Sequence, residues 1–420
     1  MGGIADYMGA LVLQRPILQA THAAVQRRAD DQIRIMSMGG SLTGRSSKVN
    51  FSMKMLGLHA TPIPYADAQG LFKQLGEDAW AAYPAGCLLV LLKENNRTLT
   101  HGISLYIQSE VPEGKGVSSS AALEVAVMQA LAAALEIPLP AEELARLCQL
   151  AENEVVGAPC GIMDQMTAAC GQANELLALR CQPAELLEPV QVPEGLSFFG
   201  IDSGIRHAVS GSNYACVRTG AFMGCRILES LAGAQATGWK GYLANCSPET
   251  FARFADRVPE KMRGQDFMDS YGESRDTVTL LDPSLIYSVR MPTAHPVYEQ
   301  ARIQSFAEKL PMAASATQRT EIGAMMYESH ESYSACGLGC AETDRLVEMV
   351  RGAPSIHGLY GARVTGGGCG GTVAVMAEAS ARSAIDDICR AYEAETGQAS
   401  FVFEGSSDGA VATGVRCETL

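Results

Sequence analysis

A glycine- and serine-rich segment lies between a strand-like and a helix-like stretch, and this order constrains the fold more than any other feature of the chain. The segment, residues 112–122, reads PEGKGVSSSAA. Residues 102–108 before it alternate apolar and polar side chains, which predicts a strand. Residues 121–135 are rich in alanine and leucine, which predicts a helix. The predicted order is therefore strand, glycine loop, helix.

The composition of this loop suits phosphate binding. Its glycines allow backbone N–H groups to turn toward one point, and the start of the following helix adds the positive end of a dipole. The hydroxyls of Ser118, Ser119 and Ser120 can donate to phosphate or ligate a cation. An ordinary glycine loop capped by serines has the same composition, so the residues alone leave both interpretations open.

A second glycine-rich segment, residues 39–46 with the sequence GGSLTGRS, comes close to the Walker pattern. Arg45 stands where that pattern has lysine, and the residues that follow are strand-like rather than helical. We therefore do not expect a Walker-type nucleotide site here.

A third segment contains Gly366, Gly368 and Gly371 and matches a G-x-G-x-x-G fingerprint. Residues 372–376, which follow it, are β-branched and strand-like where a dinucleotide-binding unit has a helix. The segment is predicted to be a glycine turn between strands 362–364 and 372–376. Such a turn can still line a phosphate site.

The charge of the chain opposes binding to polyanions. With 32 Lys and Arg against 46 Asp and Glu, the formal net charge is -14. Affinity for nucleic acid depends on clustered Lys and Arg, so we expect neither nucleic acid nor an anionic membrane as a partner. The longest apolar stretch, 121–139, contains Glu124, Gln129 and Glu136 and predicts no membrane span.

The 13 cysteines are an odd number without the spacing of a disulfide framework, and no secretory signal pattern is present. Cys336 and Cys340 lie close together but lack a second pair of ligands at zinc spacing. We expect reduced thiols in a cytoplasmic protein and no structural zinc.

Four other stretches show secondary-structure patterns. The apolar run 87–93, CLLVLLK, is interpreted as a buried strand that forms a hairpin with residues 102–108. Residues 140–156 carry an apolar stripe and predict a second helix. Residues 197–201 and 400–404 predict further strands.

Several segments resemble, in the same order, the motifs of the GHMP kinases, the family of galactokinase, homoserine kinase, mevalonate kinase and phosphomevalonate kinase. Residues 112–122 resemble the second motif of that family, and residues 365–371 resemble the third. Residues 157–165, GAPCGIMDQ, resemble the galactokinase segment that carries the catalytic aspartate. Residues 206–207 and Tyr214 resemble its sugar-side strand and tyrosine. The resemblance covers nearly the whole chain.

Within this family, the segments MGGIADY, GAPCGIMDQM, GIDSGIRH and YSACGLG are most similar to the kinase domain of plant L-arabinokinases. The resemblance implies an α+β protein with a two-lobed GHMP kinase fold. Residues 1–190 are expected to form an N-terminal lobe like ribosomal protein S5 domain 2, with the ATP site and the catalytic aspartate. Residues 191–420 are expected to form a ferredoxin-like C-terminal lobe.

The resemblance also implies which residues bind Mg-ATP. The ATP phosphates are expected to contact Gly114, Lys115, Gly116, Val117, Ser118, Ser119, Ser120, Gly366, Gly367 and Gly368. Ser120 and Glu152 are expected to hold Mg²⁺. Without the resemblance, Glu152 would be interpreted as a solvated helix charge.

On the sugar side, Asp164 is expected to be the base or orienting acceptor for the attacking hydroxyl. Without the resemblance, an aspartate near a helix start would be interpreted as a cap. The sugar is expected to contact Asp6, Gly161 and Tyr214.

The family carries a Gly-Arg pair on the strand before the segment that corresponds to MGGIADY. No residue of this sequence fills that place. By this resemblance we expect the sequence to lack the first strand of the N-terminal lobe and the arginine that polarises the transferred phosphate. Either the reading frame encodes them upstream of Met1, or the chain is a fragment with poor activity.

The first segment also bears on the choice of sugar. Galactokinases have Glu and His ahead of the conserved aspartate, the Glu reaching the hydroxymethyl group, whereas this chain has Gly3 and Ile4 before Asp6. L-arabinopyranose has the ring configuration of galactose without that group. The expected reaction is phosphorylation of the anomeric hydroxyl of L-arabinose by ATP. Galactose, a uronic acid bound by Arg206 and a non-catalytic sugar-sensing role stay open.

Overall fold

The computed structural model describes residues 1–38, 47–206, 212–353 and 355–418. The Walker-like segment 39–46 and His207 lie outside the described residues. Among those that are described, no helix is long and apolar enough to cross a membrane.

The strands of the described chain occur throughout its length. They are β1 (Leu11–Gln14), β2 (Thr21–Arg27), β3 (Gln32–Met38), β4 (Lys48–Ser52), β5 (Ile103–Ser109), β6 (Glu175–Arg180), β7 (Glu185–Gln191), β8 (Leu196–Asp202), β9 (Lys261–Arg263), β10 (Ile286–Ser288), β11 (Leu359–Val364), β12 (Thr372–Glu378) and β13 (Val402–Phe403).

The helices follow in chain order. They are α1 (Tyr65–Lys73), α2 (Ala82–Glu94), α3 (Ser119–Ala134), α4 (Ala141–Leu150), α5 (Met163–Cys170), α6 (Ser212–Ala232), α7 (Pro248–Phe254), α8 (Gly264–Tyr271), α9 (Arg290–Lys309), α10 (Ala316–Ala335), α11 (Ala341–Gly352), α12 (Arg382–Thr396) and α13 (Ala410–Thr413).

The chain divides into two compact units. Unit 1 comprises Met1–Arg15, Gly114–Val117 and Asn174–Gly405, and unit 2 comprises the rest, Pro16–Glu113, Ser118–Ala173 and Ser406–Leu420. The lobe boundary expected after residue 190 stays a prediction.

Unit 1 contains a four-stranded antiparallel sheet in the order β11-β12-β8-β13 and a three-stranded antiparallel sheet in the order β1-β6-β7. Phe199 and Ile201 of β8 and Val373 of β12 pack against Ile385 and Tyr392 of α12. The predicted glycine turn joins β11 to β12, which pair antiparallel.

Unit 2 contains a four-stranded sheet in the order β2-β5-β3-β4, in which β3 and β5 are parallel and the other pairs are antiparallel. The predicted order of strand, glycine loop and helix is confirmed as β5, residues 110–118 and α3. The predicted second helix is also confirmed, as α4 followed by a π-helical turn, Ala151–Val156.

The prediction of a strand and hairpin at residues 87–93 is wrong. These residues lie in α2, where every residue from Pro84 to Leu92 is buried. A helix that is buried on all sides has no polar face, so its sequence shows a continuous apolar run like that of a buried strand. Residues 82–86, which include two alanines, extend the apolar run to the length of a helix. This length is the signal for a helix that the sequence analysis missed.

Candidate functional site

In unit 1 the second-motif loop lies against the glycine turn of the third motif. Oγ1 of Thr365 donates to the carbonyl of Gly116 at 2.9 Å, and Oγ1 of Thr372 donates to the carbonyl of Lys115 at 2.7 Å. A Cβ added to Gly371 would lie 2.9 Å from the same Lys115 carbonyl. Two hydroxyls from β12 and its preceding turn therefore hold the loop in place, and glycine at position 371 permits the close approach.

Left-handed residues recur in the loop from Gly114 to Ser120, which we call the nest because anion-binding nests share this feature. Gly114, Gly116 and Ser118 have φ values of 72°, 68° and 60°, so every second residue is left-handed. Such alternation turns successive N–H groups toward one point, as a phosphate requires. Gly366 and Gly368 are also left-handed, with φ values of 61° and 81°.

The ammonium of Lys115 pairs with Asp202 at the end of β8, where Nζ and Oδ2 are 2.7 Å apart. Asp202 is 4% exposed, and its other oxygen accepts from the N–H of Gly204 at 2.9 Å. The sequence analysis gave Asp202 no role, because nothing in its neighbourhood indicates a lysine partner.

The predicted sugar-side residues Asp6 and Tyr214 both lie near Tyr7 in unit 1. Asp6 and Tyr7 are buried in a 3-10 turn, Asp6–Met8. The ring of Tyr7 meets that of Tyr214 edge to face with centroids 6.1 Å apart, and it stacks on Phe222 at 6.2 Å. Burial, and then the neighbouring Tyr214, raise the pKa of Tyr7, so its hydroxyl stays neutral.

A buried cation stands beside these rings. The guanidinium of Arg218 lies 5.3 Å from the centroid of Tyr7, and its Nε and Nη2 each donate to Asp276 at 2.8 Å. Burial opposes the charge of Arg218, but the hydrogen bonds to Asp276 raise its pKa above the usual value. Sequence reasoning missed this pair.

Tyr333 connects the first segment to the third motif. Its hydroxyl donates to the carbonyl of Gly366 at 3.0 Å. A Cβ on Gly3 would lie 2.1 Å from the same hydroxyl oxygen. Position 3 therefore has no room for a side chain while Tyr333 occupies this place. This packing explains the glycine at position 3, and the sequence analysis did not identify it.

In unit 2 the two predicted magnesium ligands meet. The hydroxyl of Ser120 lies close to the carboxylate of Glu152, which is in the π-helical turn and is 5% exposed. Burial raises the pKa of Glu152 and the charge of Asp164 raises it further, whereas the neighbouring side chains of Ser120 and Cys160 lower it. The interpretation of Glu152 as a solvated helix charge is therefore wrong.

One amide joins Glu152 to a second buried carboxyl group. Nε2 of Gln165 donates to Glu152 at 2.7 Å and to Glu124 at 3.2 Å. Glu124 is fully buried, and burial followed by the charge of Glu152 raises its pKa well above the usual value. The like charges of the two carboxyl groups therefore disfavour ionisation of both at once.

Asp164 and Gly161 belong to the same unit. Asp164 is half-buried in the first turn of α5, directly before Gln165. Gly161 is half-buried in the loop that leads into this helix.

The donor set of Ser120 and Glu152 fits Mg²⁺. This ion prefers oxygen ligands and usually takes one or two carboxylates together with water and substrate phosphates. Among the described residues, no cluster of three or more His, Cys, Asp or Glu side chains is arranged to hold a metal by itself. All thirteen cysteines are free, including Cys336 and Cys340.

Two family models match the chain. The model for the GHMP kinases N terminal domain matches residues 82–172, and the model for the GHMP kinases C terminal matches residues 312–394. The residues matched by the first model include the loop from Gly114 to Ser120, and also Glu152 and Asp164.

The chain is 43% identical to an L-arabinokinase of Arabidopsis thaliana, over 98% of this chain and 45% of that protein. It is 36% identical to a galactokinase of Chloroflexus aggregans, over 71% of this chain and 66% of the relative. It is 30% identical to a galactokinase of Chloroflexus aurantiacus, over 95% of this chain and 86% of that protein. The chain thus spans about half the length of the first relative.

Among solved structures, a galactokinase of Lactococcus lactis in complex with galactose has a TM-score of 0.75 at 21% identity, over 97% of this chain and 91% of that one. The mevalonate kinase of Methanococcus jannaschii has a TM-score of 0.56 at 13% identity, over 97% and 94% of the two chains. The expected two-lobed fold is confirmed.

Proposed function

Because this chain belongs to the GHMP kinase family, we propose that it transfers the γ-phosphoryl group of ATP to the anomeric hydroxyl of L-arabinose. The products are L-arabinose 1-phosphate and ADP. The observation that carries the proposal is the 43% identity to the Arabidopsis L-arabinokinase over 98% of this chain. The proximity of Ser120 to Glu152 supports the kinase part of the proposal independently, since both side chains offer oxygen ligands to a nucleotide-bound cation.

In this proposal the nest from Gly114 to Ser120 and the glycines Gly366, Gly367 and Gly368 bind the nucleotide phosphates. Ser120 and Glu152 hold Mg²⁺, which when bound neutralises charge on the phosphate oxygens.

Asp6, Gly161 and Tyr214 bind the sugar. Asp164 accepts the proton of the anomeric hydroxyl as that oxygen bonds to the γ-phosphorus and the bond to the ADP oxygen breaks. Phosphoryl transfer depends chiefly on positioning and charge stabilisation, which is what these groups supply.

Galactose is the second candidate acceptor, since the Chloroflexus aurantiacus galactokinase is 30% identical over 95% of this chain. A pocket discriminates against one additional small group by only about 1 to 3 kcal/mol, so slow turnover of galactose is compatible with an L-arabinose enzyme. The thirteen free cysteines support a reducing, cytoplasmic location.

An ADP-coupled assay tests the proposal with L-arabinose, D-galactose, D-galacturonic acid and D-glucose as acceptors. We expect the highest kcat/KM with L-arabinose, and ³¹P and ¹³C NMR should find the phosphate on the anomeric carbon. A protein that binds ATP but forms no ADP with any sugar would support the sensing role instead. Asp164→Asn, purified in parallel, controls for contaminating kinases.

A further inference from the structure

Asp202 and Thr372 are directly paired residues on β8 and β12, and both contact Lys115. Thr372 binds the main-chain carbonyl of Lys115 at 2.7 Å, and Asp202 binds its ammonium at 2.7 Å. One rung of the sheet therefore holds the backbone and the side chain of the same loop residue.

The two partners of the ion pair differ in exposure and in their other contacts. The side chain of Lys115 is 23% exposed and that of Asp202 is 6% exposed. Oδ1 of Asp202 is held by the N–H of Gly204 at 2.9 Å, so the carboxylate keeps its orientation without the lysine. The ammonium, on a flexible stem of four carbons, is the part of the pair that can move.

From this geometry we propose that Lys115 and Asp202 form an exchangeable ion pair. Without nucleotide, Asp202 holds the ammonium beside the nest; when ATP or ADP binds, the terminal phosphates attract the ammonium away from Asp202. This inference rests on the proposed function, because it requires a polyphosphate in the nest.

The exchange is favourable because a terminal phosphate carries more negative charge than one carboxylate. The Gly204 N–H remains on Asp202 and limits the cost of leaving a buried carboxylate without its cation. A lysine that serves only to anchor the loop would contribute equally to the binding affinity for AMP, ADP and ATP. A lysine that leaves Asp202 for the nucleotide contributes only to the affinity for nucleotides whose phosphates reach its ammonium.

Isothermal titration of AMP, ADP and ATP against the purified chain separates these roles. We expect Lys115→Met to weaken ADP and ATP binding by about tenfold or more, the loss of one charge-assisted hydrogen bond, and to leave AMP within about twofold. Asp202→Asn keeps an acceptor for Gly204 and removes the competing charge, so ATP should bind more tightly than to the wild type. Lys73→Met, at an exposed lysine of α1, is the matched control and should change no affinity.

Equal weakening of all three nucleotides by Lys115→Met, or weaker ATP binding by Asp202→Asn, would overturn the inference and leave a purely structural ion pair. If Lys115→Met does not fold, Asp202→Asn alone decides, because the two roles predict opposite signs for it. A wild-type chain that binds no nucleotide would refute the proposed function together with this inference. A wild type that binds and uses ATP, with unaltered ATP affinity in Lys115→Met, would refute the exchange alone.

Discussion

Nε2 of Gln165 donates a hydrogen bond to Oε2 of Glu152 at 2.7 Å. Gln165 directly follows Asp164 in α5, so a single amide links the helix of the proposed base to the proposed magnesium ligand. The same amide reaches Glu124, whose carboxyl group is fully buried. The proposed base and the proposed magnesium ligand thus belong to one partly buried polar network in unit 2.

Replacing Gln165 with leucine should destabilise the protein by about 1 to 3 kcal/mol, because two buried carboxyl groups lose a donor. It should also raise the Mg²⁺ concentration needed for half-maximal rate, since Glu152 loses the bond that orients it. Thermal unfolding and a Mg²⁺ titration measure the two effects.

Gln149→Leu is the matched control, because Gln149 donates to the main-chain carbonyl of Cys160 rather than to a carboxylate. It should alter stability alone. An unchanged Mg²⁺ requirement in Gln165→Leu would remove Gln165 from the positioning of Glu152.

Asp164→Asn should reduce kcat by about 10² or more and leave the melting temperature nearly unchanged, as expected when a positioned base is lost from a half-buried site. Steady-state kinetics with saturating L-arabinose and Mg-ATP provide the measurement. Glu154→Gln, an exposed acidic residue ten positions earlier, should retain the wild-type rate. A wild-type rate in Asp164→Asn would exclude this residue as the base.

Gly371→Ala should raise the KM for ATP. Gly371 has a φ of 84°, and its added Cβ would lie 2.9 Å from the carbonyl of Lys115, so the phosphate loop would have to shift. Gly337→Ala isolates the backbone strain, because Gly337 has a φ of 86° and no atom within 4 Å of an added Cβ. If both variants lose stability but bind ATP equally well, the contact between the loop and the glycine turn does not matter for binding.

The contribution of His295 to stability should fall between about pH 6.5 and 4. Burial lowers the pKa of this histidine from 6.5 to about 4, while its Nδ1 contacts Oγ of Ser332 at 2.7 Å. In this window the unfolded chain binds a proton that the folded chain does not, so the free energy of unfolding decreases as the pH falls, by at most about 3 kcal/mol.

Denaturant unfolding at pH 7, 6 and 5 should therefore show a smaller decrease in His295→Asn than in the wild type. His59→Asn, at an exposed histidine, should keep the wild-type decrease. The window above pH 4.5 also avoids Glu299, whose pKa of about 2 affects stability only at lower pH. Equal decreases in all three proteins would contradict the assignment.

Local patterns predicted the elements around the site well. The glycine loop between β5 and α3, the second helix that leads to Glu152, and the glycine turn between β11 and β12 follow from the residues themselves. Each of these elements is set by residues within a few positions of one another, through their backbone preferences and the spacing of their apolar side chains. The prediction at residues 87–93 was wrong because the spacing of apolar residues no longer distinguishes a helix from a strand once every face of the helix is buried.

By itself the sequence determined the order of strand, loop and helix and the glycines that permit left-handed turns. Through its resemblance to a family, it also predicted that Ser120 and Glu152 hold one cation. Only the tertiary structure decided which distant residues contact one another. Thr372 and Lys115 are 257 positions apart, and Arg218 and Asp276 are 58 apart. Such contacts depend on strand register and helix packing, which bring together residues that have no local influence on one another.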